Sequence, residues 1–383
     1  MRAPIHLASF GCLTALGDLP SSFASLCAGE SAVRIGGARP DWAPEDMPIA
    51  MVPMDVSAYS RHRTFGLAIA ALDDATRAGM SIDPDGLAIV FANTTSGMLL
   101  GETAIAQHLA GDSPEVPEDY LWNHLAHRPA EVVGDWLGAT GPRVVVSTAC
   151  TSGTVAFGVA ADLLRAGRCK RALVVGSDAL CRTTLFGFRA LGAYTRTSCR
   201  PFDVERDGMA IGEAAAFALL EPGPGDLELI GCATRTDAFH LTAPEPTGKG
   251  LVRAVLAAIA PEGIDRGAID HVNAHATGTP TNDGVEALSI AEAAPNAPVS
   301  AVKGAFGHTL GAAGVVEAVI LAESMRRGIV PPAVRCAQAI PGVAVHDQPR
   351  FVPQRVGVSV NLAFGGHNAA LALRWSGTTE RGR

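Results

Sequence analysis

Val144-Val-Val-Ser-Thr-Ala-Cys-Thr-Ser-Gly153, running on into Thr154–Gly167, is the stretch whose reading decides the fold. Its three β-branched valines suit a buried strand. Small residues follow, and then an apolar helical pattern, Val155, Phe157, Val159, Ala160, Leu163 and Leu164, closes at Gly167. The spacing predicts a strand, a tight turn and a helix, with Cys150 at or near the helix N-terminus. Free backbone N–H groups and the helix dipole there favour an anion, so they would lower the thiol pKa and hold a developing oxyanion. The nucleophile elbow of hydrolases works the same way, with serine for cysteine. A small buried cysteine in a helix-packing turn fits the residues equally well.

Outward from that stretch the same alternation continues. Strands are expected at Ile5–Phe10, Leu87–Ala92, Ala172–Gly176 and Ala214–Leu220. Helices are expected at about Pro20–Ala28 and Thr64–Gly79, over 100–140 with a Pro-rich break at Ser113–Glu118, and from Asp178. Residues 35–55 read as an irregular excursion. Strands alternating with helices, 48% hydrophobic residues, 18% charged and 42 glycines make this an α/β protein of closely packed layers. Glu221-Pro-Gly-Pro-Gly-Asp226 is the strongest internal breaker. It divides the 383 residues into related halves, 1–221 and 227–383. A partial echo supports the relation: Cys150-Thr-Ser-Gly and His308-Thr-Leu-Gly each precede a long helix, the second amphipathic to about Arg327. In duplicated units, Cys150 and His308 would face one another from equivalent helix starts.

Net charge is −8, from 30 basic and 38 acidic side chains, which argues against nucleic acid or an anionic membrane as partner. The eight cysteines form no C-x-x-C pair, so neither a metal site nor a disulfide framework is expected. With no leader pattern and no apolar run of spanning length, a soluble cytoplasmic protein is expected.

Three further stretches carry chemistry. Asp270–Asp283 begins as a strand and becomes a Gly/Thr loop holding His275. Ser300–His308 ends another strand in a glycine-lined turn with Lys303 and His308. Val356–His367 ends a third, with paired glycines allowing close backbone approach. One cysteine and two histidines on such tips form a plausible nucleophile with proton-handling groups. Asn93-Thr-Thr-Ser-Gly97, after a strand, reads either as a second-tier pocket wall or as an ordinary turn.

Taken together these motifs resemble the β-ketoacyl-acyl-carrier-protein synthases, the elongating condensing enzymes of fatty-acid and polyketide synthesis. The resemblance spans Thr-Ala-Cys150, Arg200-Pro-Phe-Asp203 with Arg206-Asp-Gly208, His275-Ala-Thr-Gly-Thr-Pro, Lys303 to Gly-His308-Thr-Leu-Gly-Ala-Ala-Gly, and Ala363-Phe-Gly-Gly. It implies a thiolase-like fold, two similar halves in α-β-α-β-α layers, with no metal or redox cofactor. Cys150 would take the acyl group, and the backbone N–H groups of Cys150 and Phe364 would form the oxyanion hole. His275 and His308 would hold the malonyl thioester carbonyl through decarboxylation. Lys303 matches the family's active-site lysine, with Glu286 as its ion-pair partner, and Glu317 a carboxylate that orders the site. Thr277 and Thr279 match residues holding the pantetheine arm, and Phe364 the gate.

The partner implied is an acyl carrier protein bearing acyl and malonyl groups, docked on Arg61, Arg63 and Arg196. A homodimer is expected, or a heterodimer with a chain-length-factor-like subunit. Leu362 and His367 depart from the family's usual phenylalanine and threonine, and the chain is shorter between Leu99 and Gly141. Thr94–Gly97 and Arg182–Cys199 are more similar to ketosynthases of aryl-polyene pathways. A non-condensing partner subunit and a cysteine hydrolase are the competing readings; intact Cys150, His275, His308 and Lys303 argue against the first.

Overall fold

The computed structural model describes residues 3–37, 39–112 and 117–377. Residues 113–116 of the expected Pro-rich break therefore lie outside the described residues. Ten strands build the main sheet's principal path: β1 (Ile5–Thr14), β2 (Leu87–Ala92), β3 (Arg143–Val146), β4 (Arg171–Asp178), β5 (Ala214–Pro222), β6 (Leu227–Thr236), β7 (His271–Asn273), β8 (Val299–Ser300), β9 (Val356–Ala363) and β10 (His367–Trp375). Their spatial order is β8-β7-β9-β10-β6-β1-β5-β4-β2-β3. Split between β6 and β1, each half runs first, fifth, fourth, second, third in chain order. In both, the second strand lies parallel to the third and fourth, and the fifth antiparallel to its neighbours. One antiparallel pair, His6 with Glu228, joins the halves edge to edge.

The helices repeat as well. α1 (Arg63–Arg77) and α2 (Arg128–Leu137) pack on the first half, and α4 (Lys249–Ile259) and α5 (Pro280–Ala293) stand in the equivalent places of the second. Between the two sets of strands lie α3 (Ser152–Arg165) and α6 (Ala313–Arg327), each following the third strand of its half and each touching strands of both. The layers are thus helix, sheet, helix, sheet, helix. Strand alternation explains them: Ala88, Val90 and Ala92 of β2 face the central helices, while Leu87, Ile89 and Phe91 face α1 and α2.

Several local expectations are corrected. α6 is not amphipathic, since every residue from Ala313 to Met325 is buried. A helix covered by sheets on both sides has no solvent face to present. Asp178 does not start a helix; it ends β4, and the next helix begins at Arg182. The first strand extends past Phe10 to Thr14 because β5 pairs along it as far as Leu13. Among the described residues no helix is long and apolar enough to cross a membrane.

Candidate active site

Cys150 lies in the turn between β3 and α3, two residues before the helix begins. Ala149 has a φ of 51°, a left-handed conformation that costs a non-glycine residue on the order of 1 kcal/mol or more. The turn is held by its own hydroxyls: Ser152 Oγ accepts from the Thr148 N–H at 2.8 Å, and Thr151 Oγ1 donates to the Thr148 carbonyl at 2.6 Å. Similar backbone settings flank the other reactive side chains. Ala276, after His275, has φ 43°, and Leu310, two residues after His308, has φ 54°.

The central helices bring Cys150 and His308 together. Gly153 and Gly314 meet there: a Cβ on Gly153 would sit 2.4 Å from the Val315 nitrogen, and one on Gly314 2.3 Å from the Thr154 nitrogen. His308 Nε2 lies 3.0 Å from Cys150 Sγ. The His275 and His308 rings are 5.2 Å apart, edge to face at 87°. Ligand-type atoms of Cys150, His275 and His308 all fall within 4.8 Å of one another, a spacing that could also hold a metal ion.

Lys303 is buried, at 1% exposure, and pairs with equally buried Glu317. Its ammonium also donates to the His275 carbonyl and to His275 Nδ1, the latter at 3.2 Å. An ammonium offers only donors, so Nδ1 must carry the lone pair and the His275 proton sits on Nε2. Asn361 Nδ2 supports this, lying 3.2 Å from His275 Nδ1 and 2.6 Å from Glu317. His308 has no such constraint, because its buried Nδ1 has no hydrogen-bond partner among the described residues. The expected Lys303–Glu286 ion pair is corrected: Glu286 instead accepts the His275 and Ala276 N–H groups at 2.6 and 2.7 Å, bracing the loop.

Electrostatics correct a second expectation. Burial pushes the Cys150 thiol up to about 12, against the lowering pull of the Lys303 charge. Desolvation of the sulfur outweighs the nearby helix end. Burial, and next the Lys303 charge, hold His275 and His308 well below their ordinary value, so both are neutral. Burial raises Glu317, and burial with the neighbouring Asp283 charge lifts Glu286 to about 8.

A cavity of about 270 Å³ opens from these groups, lined among others by Cys150, Phe188, Thr277, Thr279, Phe364 and His367. The Thr277 and Thr279 hydroxyls lie 2.9 Å apart, and the Phe364 ring, 36% exposed, stands 5.6 Å from Phe188. His367 Nδ1 lies 2.9 Å from Thr151 Oγ1, stitching the β9–β10 hairpin to the cysteine turn.

The expected basic surface is only partly available. Arg63 is drawn inward: its guanidinium grips buried Glu213 and the Val52 and Met54 carbonyls, so it cannot serve as a docking cation. Arg61 pairs with Asp119 at 3.1 Å on the exposed surface, and Arg196 is exposed.

Two contributors went unread in the sequence. Asn361 was visible as a polar residue inside an apolar strand. Asp178 accepts the N–H and hydroxyl groups of Thr94 and Thr95 and the Gly311 N–H, tying the Asn93–Gly97 loop to the His308 loop. A carboxylate ending a buried strand was the signal for it.

Matched halves with a cysteine and two histidines at their seam define a thiolase-like α/β protein. Residues 66–224 match the β-ketoacyl synthase N-terminal domain, and residues 227–337 match the β-ketoacyl synthase C-terminal domain. The chain belongs to the β-ketoacyl synthase family, a family of condensing enzymes. It is 34% identical over 260 residues to a 3-oxoacyl-[acyl-carrier-protein] synthase 2 of Synechocystis sp., a match spanning 62% of this chain and 62% of that relative. A chain from the ketosynthase–chain length factor complex of Xenorhabdus doucetiae superposes with a TM-score of 0.86 and 28% identity, covering 98% of each. A β-ketoacyl synthase from Burkholderia phymatum STM815 gives 0.88 and 28%, covering 98% of this chain and 100% of that one.

Proposed function

We propose that this protein is a 3-oxoacyl-acyl-carrier-protein synthase, working by acyl-cysteine formation and decarboxylative Claisen condensation. The observation carrying the reading is Cys150 Sγ in contact with a neutral His308, beside a His275 whose proton is held on Nε2, in a cavity open to the surface.

In the first half-reaction His308 Nε2 takes the Cys150 proton and the thiolate attacks the acyl thioester carbonyl. The oxyanion is held by the Cys150 and Phe364 N–H groups. Collapse breaks the old C–S bond, and the departing carrier thiolate takes the proton back from His308. A malonyl thioester then enters past Thr277, Thr279 and the Phe364 gate. Its carbonyl oxygen accepts from Nε2–H of His275 and of His308, whose tautomer is free to change. The bond to the carboxylate breaks, carbon dioxide leaves, and its electron pair forms the enolate. That carbon attacks the acyl-Cys150 carbonyl, expelling the cysteine thiolate and leaving a 3-oxoacyl thioester. Lys303, Glu317 and Asn361 act by positioning His275, and Glu286 by bracing its loop.

The partner is an acyl carrier protein, with Arg61 and Arg196 near the approach. Assembly is as a homodimer, or with a chain-length-factor-like subunit, since two similar solved structures are ketosynthase–chain length factor pairs. The halves 1–221 and 227–383 are taken as the structural units because the strand order repeats across them. A cytoplasmic location suits the carrier-borne substrates.

Incubation with an acyl-carrier thioester should add one acyl mass to Cys150, and Cys150→Ala should abolish it. Labelling at another residue, or none, would overturn the assignment.

A further inference from the structure

The proposed oxyanion hole draws its two donors from separate segments. The Cys150 N–H comes from the turn before α3, and the Phe364 N–H from the hairpin between β9 and β10. Phe364, Gly365 and Gly366 form the tip of that hairpin, and both glycines take left-handed φ values, 87° and 73°. A tip of paired glycines is not stiffened by its own backbone, so it must be held from outside. On one side it is moored to residues 237–241. The Gly365 N–H donates to the Leu241 carbonyl and the Asp237 N–H to the Gly366 carbonyl, each at 2.7 Å. The Asn368 amide donates to Asp237 at 2.8 Å. None of these contacts ties the tip to the cysteine turn.

His367 makes that tie. Its Nδ1 lies 2.9 Å from Oγ1 of Thr151, the residue after the nucleophile. Thr151 is fully buried, and its one hydroxyl proton goes to the Thr148 carbonyl at 2.6 Å. The hydroxyl oxygen therefore accepts, and the half-buried imidazole donates through Nδ1–H. At its own end His367 pairs with Ala363 across the hairpin, directly below the tip. A single hydrogen bond thus spans the two segments that supply the two donors. Both donors act only if they reach one oxygen together, and a misplacement of about 1 Å costs on the order of a hundredfold.

We propose that His367 is a positioning residue, which holds the Phe364 N–H at the separation from the Cys150 N–H that a tetrahedral oxyanion needs. The inference rests on the ketosynthase reading and deepens it.

The test uses two reactions of the same sulfur. Acylation by octanoyl-N-acetylcysteamine passes through an oxyanion, whereas alkylation by iodoacetamide displaces iodide at carbon and forms none. Both are followed at Cys150 in wild type, His367→Ala, His367→Asn and His367→Gln. The asparagine amide nitrogen takes the place of Nδ1, and that of glutamine the place of Nε2. The alanine and glutamine variants should acylate about ten- to a hundredfold more slowly, the loss falling on kcat with KM within about twofold. Asparagine should restore most of the rate, and alkylation should stay within about twofold in all three. Unchanged acylation in His367→Ala, acylation and alkylation falling together, or asparagine no better than glutamine would each overturn the assignment. Should His367→Ala fail to fold, the asparagine and glutamine variants carry the comparison. Wild-type protein that alkylates at Cys150 yet is not acylated would instead overturn the ketosynthase reading.

Discussion

His308 Nε2 stands 3.0 Å from Cys150 Sγ, joining residues 158 positions apart across the seam between the two halves. Each comes from the loop after the third strand of its half, so the contact is a product of the repeated topology. Both partners are uncharged at neutral pH, the thiol because burial pushes it up to about 12 and the imidazole because burial holds it down.

Alkylation of Cys150 should reflect that neutral ground state. The thiolate fraction grows about tenfold per pH unit below the thiol pKa. Iodoacetamide labelling should therefore climb without a plateau from pH 7 to pH 10. A plateau near neutrality would mean a thiolate–imidazolium pair instead.

His275→Ala and His308→Ala should each lower malonyl decarboxylation about a hundred- to a thousandfold, as expected when one aimed donor to a developing oxyanion is lost. Carbon dioxide release from malonyl-carrier protein reads this directly. Turnover within a few-fold of wild type in either variant would remove that residue from the proposed mechanism.

Lys303→Met strands Glu317 without its cation and should destabilise the fold by about 3–5 kcal/mol. The double variant Lys303→Met/Glu317→Leu should regain most of that stability, since a well-packed apolar pair can replace a buried ion pair. Decarboxylation should stay low in the double variant, with only Asn361 left to hold His275 Nδ1. Recovery of both stability and rate together would show that the pair is structural only.

Acid should weaken the fold through its buried imidazoles. His271, buried between Gln354 and Ser300, is lowered from 6.5 to about 4 by burial. Its stabilising share is complete above 6.5, where both folded and unfolded forms are neutral. Below that the unfolded chain takes a proton the folded one refuses, so stability falls as pH drops towards 4, by about 3 kcal/mol for this residue alone. His275 and His308 act in the same direction. Urea unfolding at pH 7 and pH 5 measures it, and His271→Gln should reduce the difference, leaving the share of His275 and His308.

Gly153→Ala should cost about 1–3 kcal/mol through overpacking at the backbone of Val315. It should also slow Cys150 acylation, because α3 and α6 set the sulfur-to-imidazole distance. Full activity with lowered stability would uncouple the helix contact from the site.

Local patterns were readable wherever physics acts locally. Strand β2 falls at Leu87–Ala92 as its apolar run predicts, and the valines before Cys150 do form β3. The equivalence of the two loops was present in four echoing residues, though the repeated strand order that underlies it concerns pairings no local pattern carries. Helix α6 reads as amphipathic until a second sheet is known to cover it, and every residue from Ala313 to Met325 is buried. The assignment of Glu286 to Lys303 failed for a related reason: two buried carboxylates compete, and only packing decides which meets the ammonium.

By itself, the sequence determined the α/β class, the strand–turn–helix around Cys150 and the candidate trio Cys150, His275 and His308, since each follows from short-range propensity and residue type. Tertiary structure alone decided that the thiol rests protonated, that His275 carries its proton on Nε2 and that Arg63 faces inward. Charge, protonation and exposure depend on what folds against a residue from the other half of the chain, and desolvation at that seam outweighs the local effects a sequence can display.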